Sequence, residues 1–130
     1  MRLPVALVPV VAGTLLGACR PDRVPNGTWG GDHVSLTVGD DGGRVEFDCA
    51  HGSVDRPIRL DDEGRFSTVG TFVPEHGPRL ADESAQSRPA RYAGRLEKGK
   101  VTFTVTVEGE DGRGPFTASL ARAPKLRKCR

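Results

Sequence analysis

The chain has 130 residues, a length that supports one domain and little else. Its formal charge of +2 exerts no bulk pull toward nucleic acid, and only 5% of its residues are aromatic. With 17 glycines and 10 prolines, the composition suits short strands joined by many turns rather than long helices.

The first stretch, MRLPVALVPVVAGTLLGAC, carries one early positive charge at Arg2 and then an uncharged run from Leu3 to Ala18. That is the layout of an export signal. The run falls short of the ~20 apolar residues that a bilayer-spanning helix needs, and Pro4 and Pro9 weaken it as a helix. The competing reading is a buried hydrophobic first helix. Leu16-Gly17-Ala18-Cys19 resembles a bacterial lipobox, in which an aliphatic residue and two small residues precede the cysteine. The resemblance implies cleavage before Cys19 and lipid on its sulfur and new amino terminus. Small side chains at 17 and 18 let a peptidase approach the backbone, and the thiol is the nucleophile that accepts the lipid. Several acyl chains at about 0.8 kcal/mol per buried methylene make such an anchor durable. The expected organisation is therefore a signal peptide over 1–18, a lipidated tether over 19–25 and a folded domain over 26–130. Arg20 follows the lipidated cysteine, where an aspartate would favour inner-membrane retention; periplasmic or cell-surface exposure on a bacterial membrane is the expected location.

Export leads to an oxidising compartment, where cysteines tend to pair. With Cys19 lipidated, Cys49 and Cys129 are left, and one bridge between them is expected. A bridge across some 80 residues is worth on the order of 4 kcal/mol in the chain-entropy model. The stretch FDCAHGSVD admits sharper readings. A Cys–His nucleophile pair needs a thiolate that a disulfide removes. A zinc site needs three or four ligands, yet His33, His51 and His76 are scattered without a short-spaced pair. Ser53, His51 and Asp48 or Asp55 are the residue types of a hydrolase, but a surface turn accounts for neighbours along one short stretch more simply. No catalytic, cofactor or metal residue is assigned.

From Gly27 the hydrophobic period is two. Val34, Leu36 and Val38 alternate with Ser35 and Thr37; GDDGG follows, and Val45, Phe47 and Cys49 alternate with charged residues, which reads as a hairpin with one wet face. Ile58 and Leu60 suggest a short strand, and Phe66, Thr68, Gly70 and Phe72 share a face in the next. Residues 74–91 read as a long exposed loop with one helical turn around Leu80–Ala85, either functional or a tolerated insertion. Strands resume at Tyr92–Leu96, then VTFTVTV with Val101, Phe103, Val105 and Val107 on one face, then Phe116, Ala118 and Leu120. No repeat and no helix of ordinary length appears. About eight short strands, each with one apolar face, predict an all-β, antiparallel up-and-down barrel, because closure removes exposed edges. A β-sandwich is the alternative.

Gly27-Thr28-Trp29 resembles the G-x-W that opens the first strand of lipocalin- and avidin-like barrels. In those families an arginine of the last strand covers the tryptophan, and strand parity with Phe116, Ala118 and Leu120 nominates Arg122 for that closure. The order GTWGG, EFDCAHG, GTFVPEHG, RPARYAGRL and a closing KC is similar to an uncharacterised family of small bacterial lipoproteins and exported proteins over most of 26–130. This implies a shared barrel and disulfide, and no activity.

Three functions compete: a lipid-anchored, non-enzymatic module that binds or inhibits an envelope protein, a carrier of a small apolar ligand, and an enzyme, for which no recognisable constellation is present. Trp29, Phe47, Phe66, Phe72, Phe103 and Phe116 are the expected inward set, enough to fill an eight-stranded barrel, which favours recognition by the loops. A cavity of several hundred Å³ lined by them would favour the carrier instead. Size, lipobox and a cysteine-and-glycine turn also resemble lysozyme-inhibitor lipoproteins of the small-barrel type, but their serine-glycine inhibitory loop is not found here. His33 and His51 are expected at opposite ends of the meander.

Overall fold

The structure is a computed structural model that describes residues 21–75 and 86–129. Cys19, the expected signal segment, His76 and the helical turn expected at Leu80–Ala85 lie outside the described residues. Within them, eight strands form one closed antiparallel barrel: β1 (Gly27–Gly31), β2 (Val34–Gly39), β3 (Gly42–Phe47), β4 (Ala50–Val54), β5 (Arg65–Pro74), β6 (Arg88–Glu97), β7 (Lys100–Val107) and β8 (Gly112–Leu120). Each strand pairs with its successor, and β8 returns to β1, so the chain is a barrel and not a sandwich.

Two-residue turns set the register. Asp32–His33, Asp40–Asp41, Asp48–Cys49 and Lys98–Gly99 each sit between directly paired residues. His33, Cys49 and Lys98 adopt positive φ there, at 69°, 58° and 53°, and with Gly99 at 77° the Lys98–Gly99 turn has the two positive φ values of a type I′ turn. Alternation then turns one face of every strand inward. Trp29, Phe47, Phe66, Phe72 and Phe103 are buried in one core with Tyr92, and Phe116 packs against it. The Phe47 ring lies 5.0 Å from Phe116 and 5.6 Å from Phe72 between centroids, the spacing of favourable aromatic pairs. The barrel centre, among Leu36, Val45, Tyr92 and Phe103, retains a void of only about 10 Å³.

Three expectations about organisation change. Residues Ala50–Val54 form β4, not a surface turn: Ala50, Gly52 and Val54 face inward, and small residues hide the apolar alternation that marks a strand. Ile58 and Leu60 are not a strand of the barrel. Arg59 instead bridges Arg23, Val24 donates to the Ile58 carbonyl at 2.9 Å, and Leu60 donates to that of Asp22. Consequently part of the expected tether is folded, with Val24 fully buried. Finally, Arg88–Arg91 belong to β6 rather than to a loop.

The meander has two ends. The base carries the Asp40–Asp41 and Lys98–Gly99 turns, the 55–64 connection and the segment Asp22–Pro25, whose Pro25 carbonyl accepts the Trp29 indole N–H at 3.1 Å. The mouth carries the Asp32–His33 and Asp48–Cys49 turns and the turn between β7 and β8. Beyond β8 the chain reverses at Ser119–Arg122, with Ala121 at φ 64°, and runs back across the outside of β1 to the mouth. Gly30 permits the crossing, because a Cβ there would overlap the Arg122 carbonyl.

Candidate functional site

The returning tail builds one wall of the mouth. Lys125 accepts from the His33 N–H at 2.7 Å and donates to the Gly31 carbonyl at 3.0 Å, forming a parallel bridge with Asp32. Arg127 N–H donates to Asp48 at 2.7 Å. Lys128 Nζ reaches the Phe47 and Ala50 carbonyls and the carboxylates of Glu46 and Glu75. Near the end of the tail, Cys129 pairs with Cys49 at disulfide distance, Cα atoms 4.8 Å apart. The two cysteines named from the sequence are thus brought together, 80 residues apart in the chain.

β8 builds the opposite wall. Its ladder with β1 has only two pairs, Trp29↔Leu120 and Gly30↔Ser119. Past Gly31, β1 turns to the tail, so the two walls part like a fork. Between them opens a cleft of about 660 Å³. Its floor is Phe47, Phe72 and Phe116; its rim holds His33, Arg113 and Arg122. Arg113 stacks over Phe72 with its guanidinium carbon 4.7 Å from the ring centroid.

The rim charges are compensated in pairs. His33 Nδ1 lies 2.6 Å from Asp48, Arg122 3.2 Å from Asp32, and Arg113 2.8 Å from Glu110. Asp48 titrates below the usual carboxylate range: partial burial pushes it up, but the Arg127 amide and His33 outweigh that. Glu75 does likewise, with burial overcome by His51 at 2.7 Å and by Lys128. Glu110 is lowered by Arg113 and Arg88.

Arg122 does not cover Trp29. The parity argument assumed that β8 continues through residue 122, whereas the strand ends at Leu120 and the turn at Ala121 redirects the side chain to Asp32. Trp29 is closed instead by the base segment, at 2% exposure. His33 and His51 also lie at the same end, not opposite ends, because β1 is a strand in its own right and their turns are the first and third connections. They are not joined: each Nδ1 faces its own carboxylate. Ser53 bonds to Thr71, away from either. Among the described residues no group of three or more His, Cys, Asp and Glu side chains is placed to hold a metal ion.

The cleft escaped sequence reasoning because it arises from a mismatch in length between β1, with five residues, and β8, with nine. No family model, curated protein or solved structure matches the chain.

Proposed function

We propose that the protein is a lipid-anchored bacterial envelope lipoprotein that acts without catalysis, binding or inhibiting an envelope protein through the mouth of its barrel. The observation that carries this reading is the polarity of the barrel. Asp22–Pro25 is pinned at the base, and the cleft opens at the other end. With lipid on Cys19, the three steps to Asp22 reach about 11 Å at ~3.6 Å per extended residue. The base then faces the bilayer, and the cleft faces the periplasm or the exterior.

The apolar-ligand carrier has one observation in its favour, a floor of three phenylalanines under several hundred Å³. Against it, the cleft is open to solvent along the fork and the barrel beneath it is filled. A carrier that shields an acyl or aromatic ligand needs depth.

Two measurements test the proposal. Intact mass of membrane-extracted protein should show residues 19–130 plus a diacylglyceryl group; an unmodified soluble product overturns the anchor. A photo-reactive residue replacing Arg122 should cross-link one envelope protein in cells, and the same residue replacing Lys98 at the base should not. Cross-links from Lys98 alone would overturn recognition at the mouth.

A further inference from the structure

We infer that the base of the barrel is a seat that rests in the bilayer surface, an inference that itself rests on the lipid anchor at Cys19. Beside the ends of β1 and β8 the base carries a groove of about 540 Å³, walled by Pro21, Pro25, Leu60, Leu96 and Leu120 over Trp29. Among the described residues only Leu120 and Val69 are large apolar side chains left exposed, and Leu120, at 47%, belongs to this wall. Pro21 points to the occupant. It lines the groove and stands two residues from Cys19, so the two α-carbons are at most about 7 Å apart at ~3.6 Å per extended residue. The acyl chains on Cys19 enter the bilayer within that distance, and the tether holds the groove against the same surface.

A hydrocarbon liquid fits a concave apolar wall without a matching shape, and covering that wall takes it out of water. The acids of the groove are already compensated: Glu63 pairs with Arg65, and Glu97 lies 3.8 Å from Arg95. Lys98, in the turn between β6 and β7, can lay its stem along the groove and keep its ammonium among the headgroups. A single lysine beside compensated acids is not the basic cluster that selects anionic lipid, so a neutral phosphatidylcholine surface suffices. Asp40 and Asp41 stand at the same end and oppose deep immersion. The barrel therefore rests tilted, groove downward, at the boundary between headgroups and acyl chains. Seated in this way, the mouth is held at a fixed orientation rather than swinging on the tether.

The test uses the full lipoprotein, purified in detergent and reconstituted at one copy per phosphatidylcholine nanodisc. Trp29 is the single tryptophan and lies in the groove wall, so bromine on the acyl chains of the phosphatidylcholine reports contact as a loss of its emission. That loss is the expected result, together with slow amide exchange at Lys98 and Gly99. Leu120→Asp should restore the emission and speed that exchange while the melting temperature in detergent stays close to that of the unaltered protein. If the variant unfolds, a spacer of about 20 Gly and Ser residues after Cys19, roughly 25 Å in span, decides on the unaltered barrel. Quenching that survives the spacer supports a seat with its own affinity; quenching that disappears shows proximity alone and overturns the inference. Emission untouched by bromine, in protein whose intact mass carries the lipid, overturns the seat and leaves the anchor standing, whereas a mass without lipid overturns both. Quenching that requires phosphatidylglycerol overturns the neutral seat. Base amides protected without quenching would give the groove to an acyl chain of the protein's own anchor, and protection that appears only with two copies per disc would give it to a second copy; either overturns the bilayer as occupant.

Discussion

Asp32 bridges Lys125, and not β8, so the C-terminal tail takes the place beside β1 that the last strand of an uninterrupted barrel would hold. This single exchange opens the fork, brings Cys129 to Cys49 and places Arg122 on the rim.

The tail can reach that place only where the outside of β1 is bare. In Gly30→Ala, the new Cβ would meet the Arg122 carbonyl and the Pro124 nitrogen, both backbone atoms that cannot rotate aside. Strain of this kind costs about 1–3 kcal/mol. Thermal unfolding should show that loss, and exchange at the Lys125 amide should rise ahead of the rest of the barrel. Unchanged Lys125 protection would mean that the tail crosses elsewhere.

Cys129→Ser should remove the stability that the disulfide contributes. In the chain-entropy model, a bridge between residues 80 apart is worth about 4 kcal/mol, a large share of the stability of a small domain. Urea unfolding midpoints with and without reductant measure it. A protein equally stable in both conditions would show that the tail's hydrogen bonds suffice.

What the sequence made legible follows from what the physics makes local. The alternation in VTFTVTV and in Val34–Val38 needs no tertiary information, and both strands are where periodicity puts them. β4 was hidden because its inward residues are Ala50, Gly52 and Val54; Gly52 is small because Tyr92 Oη and the Thr71 carbonyl occupy the space a Cβ would take. Arg122 failed for a different reason. Parity is conserved along a strand and lost at its end, and nothing in LARAP announces that Ala121 will be left-handed.

That correction is itself testable. An exposed ion pair between Arg122 and Asp32 is worth up to about 1 kcal/mol. Arg122→Ala should therefore move the melting temperature by a few degrees at most and leave the fluorescence of Trp29, the single tryptophan, unchanged. A shifted emission would restore Arg122 to the indole.

Acid should loosen the tail before it unfolds the barrel. Asp48 and Glu75 both titrate below their ordinary range and both hold the tail, through Arg127 and Lys128. A carboxylate lowered in the fold contributes stability that is complete above its unfolded pKa, about 4, and is lost as pH falls through the folded value. Exchange at Arg127, corrected for its intrinsic pH dependence, should be flat above about pH 5 and rise below it. Asp48→Asn should flatten that rise.

Tyr92 governs the alkaline side. It is the only tyrosine, buried at 2% exposure, and its hydroxyl donates to the Thr71 carbonyl at 2.7 Å. Burial raises its pKa far above the ordinary value near 10, because the phenolate would lose its hydration. Folding therefore holds the proton, so the stability linked to this group is fully present below about pH 10 and declines as pH rises beyond it, where the unfolded chain ionises and the folded one does not. Ultraviolet titration should show no phenolate absorbance at pH 10.5 while the near-ultraviolet dichroism stays native, and both signals should then change together. Tyr92→Phe removes the titration and the hydrogen bond at once. It leaves the Thr71 carbonyl short of a donor at a cost of about 1–2 kcal/mol at neutral pH, and the alkaline decline should shrink with it. A smooth phenolate titration near pH 10 in the folded protein would show that water reaches the middle of β6, and the filled barrel would have to give way to an open one.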